Sequence, residues 1–536
     1  MSMEKTFARK ASGLVRGLSL VDAVGVGVMN CGILPSMWIA ISLALSVYTG
    51  GNLIIATLIS IVMAGIGFPL VWGILSGSMP RSGGEYIYNS RIIHPIIGIA
   101  ESFGNAFIWL LWICVLAPYV ADPGLTMLFS WFNMPTAAEF CRSTLGIFLI
   151  SSLVNVLSFL VLAFGIKIYA RIQRVVMAIG LAGVIALILI FAFASHETFV
   201  NNWNSLAQQY NSLDYNSFLA ATKTAMEEEG KSLPSTWNWF DTIGCMVAGS
   251  WLFIYGYAIA FIAGEVKRPE KTLIWGNFIA TELPGVLFLF LVLGLYKTVG
   301  FNFLTATAWV DQTGAAIAGF NLPWSPNFMS LALVITSNPF VLALIGASFI
   351  IYSIWFVVMS YLAFPRILFA WGMDRMGPKW FTDINVRTST PIKNMVLLFV
   401  LGEIGLLLYA LYSNLFLGLS VTGMEIVTVF GISALSALLL PYVKKARHIW
   451  EASPYKHWFF LKIPAVTWGA IFNLAYLVIL FVFFMLMPGL ETFTTGSLIS
   501  YIVVWALGFA WYFYWVWRNR RSGIDVTLTY KELPPD

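Results

Sequence analysis

The sequence predicts an all-α, polytopic membrane protein with twelve transmembrane helices. Three observations predict it. Of 536 residues, 59 % are hydrophobic and only 10 % charged, with 22 Trp and 42 Phe, too little charge to cover a soluble surface. Apolar runs recur along the chain, each near the length of about 20 residues that a bilayer-crossing helix needs. Basic residues then sort onto alternate connections between these runs, as the positive-inside rule requires.

The spans run Val21–Tyr48, Asn52–Gly77, Ile96–Phe129, Thr144–Phe164, Ile172–Ala194 and Phe240–Gly264, then Ile274–Val299, Phe340–Trp371, Asn394–Tyr412, Phe416–Tyr442, Val466–Met487 and Leu498–Trp517. An even count places both termini on one side. Of the 30 basic residues, only Arg142, Lys223, Lys231 and Lys297 fall on the other side. Both termini are therefore expected in the cytoplasm, and the net charge of +5 reads as a topology signal, not as a nucleic-acid footprint. The basic N-terminus leads into an apolar segment too long for a cleavable leader and without a small-residue cleavage site. Ser195 to Trp239, rich in Asn, Ser and Thr, is the longest outer connection and is expected to carry a short amphipathic helix over the outer face.

Two spans are interrupted. The first contains Gly25-Val26-Gly27-Val28-Met29-Asn30-Cys31-Gly32, and each glycine costs a helix interior about 1 kcal/mol against alanine. The sixth contains Ala248-Gly249-Ser250-Trp251-Leu252-Phe253-Ile254-Tyr255-Gly256-Tyr257. Such clusters either let neighbouring helices approach closely or open the helix where freed backbone lines a cavity. Being five spans apart, they sit at matching positions of two halves with opposite topology, which points to a midplane transport site. The expected organisation is a cytoplasmic N-terminus (1–20), a first repeat of five helices (21–194), an extracellular loop (195–239), a second repeat (240–442), two further helices (443–517) and a cytoplasmic tail (518–536).

Three connections on the basic side carry a family resemblance. They are Pro80-Arg81-Ser82-Gly83-Gly84-Glu85-Tyr86-Ile87-Tyr88, Gly264-Glu265-Val266-Lys267-Arg268-Pro269, and Arg366 through Ala370 and Asp374 to Pro378, followed by Thr390-Pro391. In this order, between the second, sixth and eighth spans and their successors, they resemble the signatures of the amino acid–polyamine–organocation transporters, over nearly the whole chain. The resemblance implies a leucine-transporter-like fold of five plus five inverted-repeat helices and two more, with alternating access and no covalent chemistry. It implies that an α-carboxylate binds backbone N–H groups at Asn30-Cys31-Gly32-Ile33, where the family has Gly-Ser-Gly-Ile. The α-ammonium would meet carbonyls near Val28 and Met29 and near Trp251 and Ile254. Trp251 and Phe253 correspond to aromatic gates, while Ile108, Trp109 and Ile113 on helix three and Ser353, Trp355 or Ser360 on helix eight would line the pocket. Tyr257 stands where an arginine-transporting branch has an acid, so a neutral, apolar or aromatic amino acid is the expected substrate; a polyamine or other organic amine is the alternative.

No cofactor is expected beyond a coupling ion, H+ or Na+. Gly180 occupies the place of a lysine that serves some proton-coupled relatives. A sodium site would draw on Ser353 or Ser360, although a serine within a span often bonds only its own helix backbone. The acids Glu282, Glu403 and Glu425 lie in apolar spans without basic neighbours, and such acids either take up a proton or face water. Asp122, near an outer end beside Pro118 and Pro123, reads as interfacial. The four histidines lie in or next to loops, and Cys31, Cys114, Cys141 and Cys245 show no metal or disulfide spacing, so an enzyme is not expected; nor is a channel, for want of a filter-like repeat. Cys141 lies where one branch of the family bonds a single-span partner, but a monomer or homodimer in the cell membrane is the expectation.

Overall fold

The structure is a computed structural model that describes residues 14, 16–412, 421–486, 495–531 and 533. Residues 1–13, the predicted start of the tenth span at Phe416, and Met487 at the end of the eleventh lie outside the described residues. Among the described residues ten helices are long and apolar enough to cross a membrane, or up to twelve if each of two bent pairs is one span. The spans are Leu20–Val47, Leu53–Ser78, Pro95–Trp131, Thr144–Ala163, Ile166–Phe193, the pair Trp239–Gly249 and Trp251–Glu265 bent by 41°, Pro269–Thr298, Pro339–Met373, Ile392–Leu411, the tenth from Met424 to Leu439, Ala465–Leu486 and Thr495–Arg521. The tenth turns by 82° into the short helix Lys444–Ala452. All spans but their ends agree with the hydropathy reading.

Local chemistry sets many of the starts. Ser19 and Asp22 form a capping box at the first span, Asn52, Ser143, Asn238 and Asn338 cap the second, fourth, sixth and eighth, and proline opens the third, seventh and eighth. These residues satisfy or remove N–H groups that a helix start leaves without partners. The first span is the axis of the bundle: 89 % of its apolar window is buried, against 17 % for the twelfth. It packs on the fifth, sixth, seventh and eighth spans.

At the end that carries most of the basic residues, the three signature connections converge. Glu265 accepts two hydrogen bonds from Arg366, at 2.6 and 3.0 Å, with both side chains 1 % exposed. Ser82 donates to the same carboxylate at 3.4 Å. Tyr86 and Arg91, from the short helix Glu85–Ile92, both bond Asp374 at the end of the eighth span. The segment before the first span joins them, with Gly17 and Leu18 N–H groups on the Glu265 carbonyl and Lys267 N–H on that of Leu18.

The opposite end carries a lid larger than the single short helix expected there. Helices His196–Gln209 and Tyr215–Glu228 lie side by side, and a third, Phe301–Thr313, follows the seventh span. Trp203, Tyr215, Phe218 and Phe303 knit them together, with ring centroids 4.2–5.6 Å apart for the Phe303–Tyr215, Phe303–Trp203, Phe303–Phe218 and Trp203–Phe218 pairs. Asp311 of the third helix accepts from Trp38 Nε1 at 2.7 Å and Ser42 Oγ at 2.8 Å, so the lid grips the outer half of the first span. A two-stranded ribbon, Phe459–Phe460 with Ile463–Pro464, is the one departure from an all-helical fold among the described residues.

Removing one partner of a buried ion pair strands the other charge at a cost of about 3–5 kcal/mol. Arg366→Ala should therefore lower the thermal unfolding midpoint of the purified protein sharply, and Glu265→Gln should do the same. A midpoint unchanged by Arg366→Ala would show that this pair does not hold the basic end together.

Candidate functional site

The first span opens at one residue. Its helix runs unbroken from Leu20 to Cys31, and Gly32 then takes φ 51°, ψ 60° before a second segment begins at Ile33. A side chain there would be strained by the left-handed backbone, and a Cβ would also fall 2.2 Å from the Phe356 ring. Gly25 and Gly27 do not open the helix. They let neighbours in: a Cβ on Gly25 would stand 2.4 Å from Gln173 Nε2, and one on Gly27 2.4 Å from the Ala280 Cβ. Both readings of the glycine cluster thus apply, each to different glycines.

The sixth span gives way from Ser250 onward. Trp239–Gly249 is followed by the short turn Trp251–Ile254 and then by 3-10 geometry from Tyr255 to Glu265. Open space lies at Gly249, where a Cβ would find no atom within 4 Å. Gly249 and Trp251 are partly exposed while the residues on either side are buried.

The two openings face each other. Asn30 Nδ2 donates to the Tyr255 carbonyl at 2.7 Å, and the Cys31 thiol reaches the Ala280 carbonyl at 3.6 Å. Ser36 Oγ donates to the Cys31 carbonyl at 2.6 Å. No side chain caps the segment that begins at Ile33, so its first N–H groups and the positive end of its dipole are available to an anion. Around this joint, Asn30 Oδ1, Tyr255 OH, Thr281 Oγ1 and Tyr352 OH are buried without a hydrogen-bond partner. Buried polar atoms are seldom left so, and four of them gather at this joint.

The structure places the remaining predicted residues as follows. Val28 and Met29 are fully buried in the last turn before the opening. Tyr257 sits in an aromatic cluster with Trp72, Trp109 and Phe430, centroids 6.1, 6.2 and 4.7 Å away. Trp109 also meets Trp112, which stands edge-on to Tyr255 at 4.8 Å. Trp251 stands edge-on to Tyr255 at 5.8 Å. Ile254 is buried in the turn. Phe253 turns away toward Gly285 of the seventh span, and Ile113 lies against Gly402 of the ninth. Ser353 donates to its own helix at Phe349 O, 2.9 Å, whereas Ser360 Oγ is buried with no partner. Gly180 makes room for the Tyr352 ring, 3.0 Å from where its Cβ would be.

The predicted acids fare differently from one another. Glu403 accepts from Ser152 at 2.8 Å and Asn155 at 2.9 Å, so it ties the ninth span to the fourth. Glu282 lies against Gly65 of the second span. Glu425 is fully buried, accepts from Trp505 at 2.9 Å through one oxygen, and presses the other, unpartnered, against Gly104. Two acids that the sequence reading passed over lie beside it. Glu101 accepts from Asn89 at 3.0 Å and Glu85 from Asn105 at 3.2 Å, two rungs between the Glu85–Ile92 helix and the third span. Trp72, in contact with Tyr257, donates to Glu85 at 3.2 Å. Among the described residues, none of the three acids has a basic partner within salt-bridge reach. Burial pushes the Glu85 carboxyl up to about 7. The available signal was a Glu with an Asn four residues on, twice in 21 residues (Glu85 to Asn105), placing acid and amide on one helix face each time. Cys141 is a buried free thiol, and no group of His, Cys, Asp and Glu is placed to hold a metal among the described residues.

Residues 18–509 match the family described as amino acid permease. The chain is also similar to the protein named cationic amino acid transporter 4, vacuolar, of Arabidopsis thaliana, at 22 % identity over 408 residues. That alignment takes in 73 % of this chain and 58 % of the longer relative.

Gly32→Ala places a methyl group inside the Phe356 ring on a left-handed backbone. It should abolish ligand-induced thermal stabilisation of the purified protein while Gly230→Ala, at a lid glycine that is also left-handed (φ 73°) but has open space around it, leaves it intact. Equal stabilisation in both variants would move the site away from this turn.

Proposed function

We propose that this chain, which belongs to the amino acid permease family, carries an amino acid across the membrane at the joint of its first and sixth spans. The observation that supports this best is the pair of facing openings joined by Asn30 and the Tyr255 carbonyl. In this reading the α-carboxylate sits at the N–H groups beyond Gly32 and the α-ammonium at carbonyls around Val28 and Ile254. Alternating access by two inverted five-helix repeats, with both termini in the cytoplasm and the protein in the cell membrane, completes the proposal.

The side chain of the substrate would lie toward Tyr257, Trp72 and Trp109, which favours an uncharged apolar or aromatic amino acid. A second reading, a cationic side chain, draws on Glu85 behind Trp72 and on the name of the plant relative. Counterflow in proteoliposomes separates them: labelled leucine or phenylalanine should exchange faster than arginine. Faster arginine exchange would overturn the first reading in favour of the second. In the same preparation, substrate should slow modification of Cys31 by a thiol reagent.

For coupling we favour protons carried by the acids at Glu85, Glu101 and Glu425, because buried carboxyls without cations are readily neutralised by a proton. A carboxyl raised from 4.5 to about 7 binds more protons in the folded than in the unfolded chain between those values. Its contribution to stability therefore falls as pH rises through that window and is level above it. Glu85→Gln should flatten the pH dependence of the unfolding midpoint there. Glu101→Gln with Glu425→Gln should abolish accumulation driven by a pH gradient while counterflow persists; gradient-driven uptake at the wild-type rate would exclude these acids.

A further inference from the structure

A cavity of about 390 Å³ opens at the basic end of the bundle, apart from the helix-break site. Its walls come from separate stretches of chain. Arg91 and His94 come from the turn before the third span, Lys445 and His448 from the bent end of the tenth, and Tyr530 and Lys531 from the C-terminal segment. Every titratable group among them is a cation, an imidazole or a phenol. Among the described residues no carboxylate lines the cavity.

The acid nearest in function, Asp374, is already engaged. It bonds Arg91 at 2.7 and 2.8 Å and Tyr86 at 2.7 Å. That engagement uses the terminal Nη2 of Arg91; Nη1 goes to Ser90, and Nε is left buried without a partner. Arg91, 5 % exposed, is therefore a fixed guanidinium in the cavity wall. His94 Nδ1 accepts from the Ile96 N–H at 3.3 Å, which leaves Nε2 as the donor of that ring. Lys445 donates one proton to the Ile93 carbonyl and retains two. Its partial burial lowers its pKa, a cost that an anion in the cavity would relieve. The Tyr530 ring stacks on the Arg91 guanidinium at 5.1 Å, and its hydroxyl lies 3.2 Å from that of Tyr86.

A pocket of converging cations and N–H donors, with no carboxylate among its described walls, selects a multiply charged oxyanion. Its volume exceeds what inorganic phosphate would fill and suits a phosphate carried on a small polar body. We propose that this cavity binds a phosphate monoester, presented either by a phospholipid headgroup or by a soluble organophosphate, and that the bound group clasps the C-terminal segment to the ends of the third and tenth spans. For the lipid source, the headgroup would reach the cavity beside the ends of the third, tenth and twelfth spans. The ligand would also bear on the Arg91–Asp374 pair, and through it on the end of the eighth span.

The test uses the purified full chain and needs no transported substrate, so it stands apart from the transport reading. Unfolding midpoints and native mass spectra would be recorded in phosphatidylcholine nanodiscs with and without phosphatidic acid, and with glycerol 3-phosphate or sodium chloride at matched ionic strength. The combined variant Lys445→Gln, His448→Gln, Lys531→Gln changes only exposed side chains. Stabilisation by phosphatidic acid alone identifies the lipid source, and stabilisation by glycerol 3-phosphate identifies the soluble one. In either case the variant should bind about tenfold more weakly, as expected when charge-assisted hydrogen bonds are lost. Chloride stabilising as well as the phosphates, or the variant binding like the wild type, would overturn the proposal.

Discussion

A guanidinium and a carboxylate, Arg366 and Glu265, each 1 % exposed, hold the basic end of this molecule together. Burying two charges is expensive, and only near-ideal geometry with further hydrogen bonds offsets the loss of water. Both conditions are met. The fork is bidentate, Arg366 Nη1 donates to Leu362 O, and Ser82 donates to Glu265. The glycines of the first signature connection exist for the same junction: a Cβ on Gly83 would strike Ala370, and one on Gly84 the Phe261 ring. Each signature connection thus supplies a part that the others need. With Tyr86, Arg91 and Asp374 buried at the same end, the signature connections close on one another.

That closure has a consequence for the opening at Gly32. The first span is held at its base by backbone bonds to Glu265 and by Leu18 receiving Lys267, and one turn on by Asp22, which pairs with Arg174 at 2.8 Å. It is held at its far end by Trp38 and Ser42 on Asp311 of the lid. Between those anchors, Gly32 is the residue where the helix geometry lapses, and Asn30 and Cys31 tie the lower half to the sixth and seventh spans. The upper half is fastened to the lid instead. A rotation of one half against the other would pivot at Gly32 and would have to carry the third lid helix with it.

The sequence was most legible where the physics is one-dimensional. Span positions follow from apolar length and from capping residues such as Ser19 and Asn52, both local properties. Glycines were legible only in part, because a glycine serves either a left-handed backbone or a close approach, and the chain does not say which. Gly32 is the former; Gly25 and Gly27 are the latter, since their reasons, Gln173 and Ala280, lie far along the sequence. The lid was under-read for a similar reason: Phe303 and Trp203 make a core only once two connections, 195–239 and 300–338, come together. Glu85 and Glu101 went unnoticed because one lies in a signature connection and the other near a span end, so neither stands out as an acid in an apolar run.

Those two acids and Glu425, like Glu403, meet only donors through their carboxyls, and they differ in how many oxygens are engaged. Every contact they make is to a donor: the Trp72 indole and Asn105 amide for Glu85, the Asn89 amide for Glu101, the Trp505 indole for Glu425. Donors favour the ionised form, whereas burial without a cation disfavours it. In Glu85 both oxygens are occupied. In Glu101 and Glu425 one oxygen each is bare and buried, so a proton can settle there without breaking any bond that holds the spans together. Glu403, by contrast, has both oxygens bonded, to Ser152 and Asn155, and Asn155 is itself held by Tyr361. A carboxyl with one donor on each oxygen keeps only the second lone pair of each for a proton, whereas one with a bare oxygen keeps a whole atom free. That bare oxygen is why the proton coupling we propose is assigned first to Glu101 and Glu425.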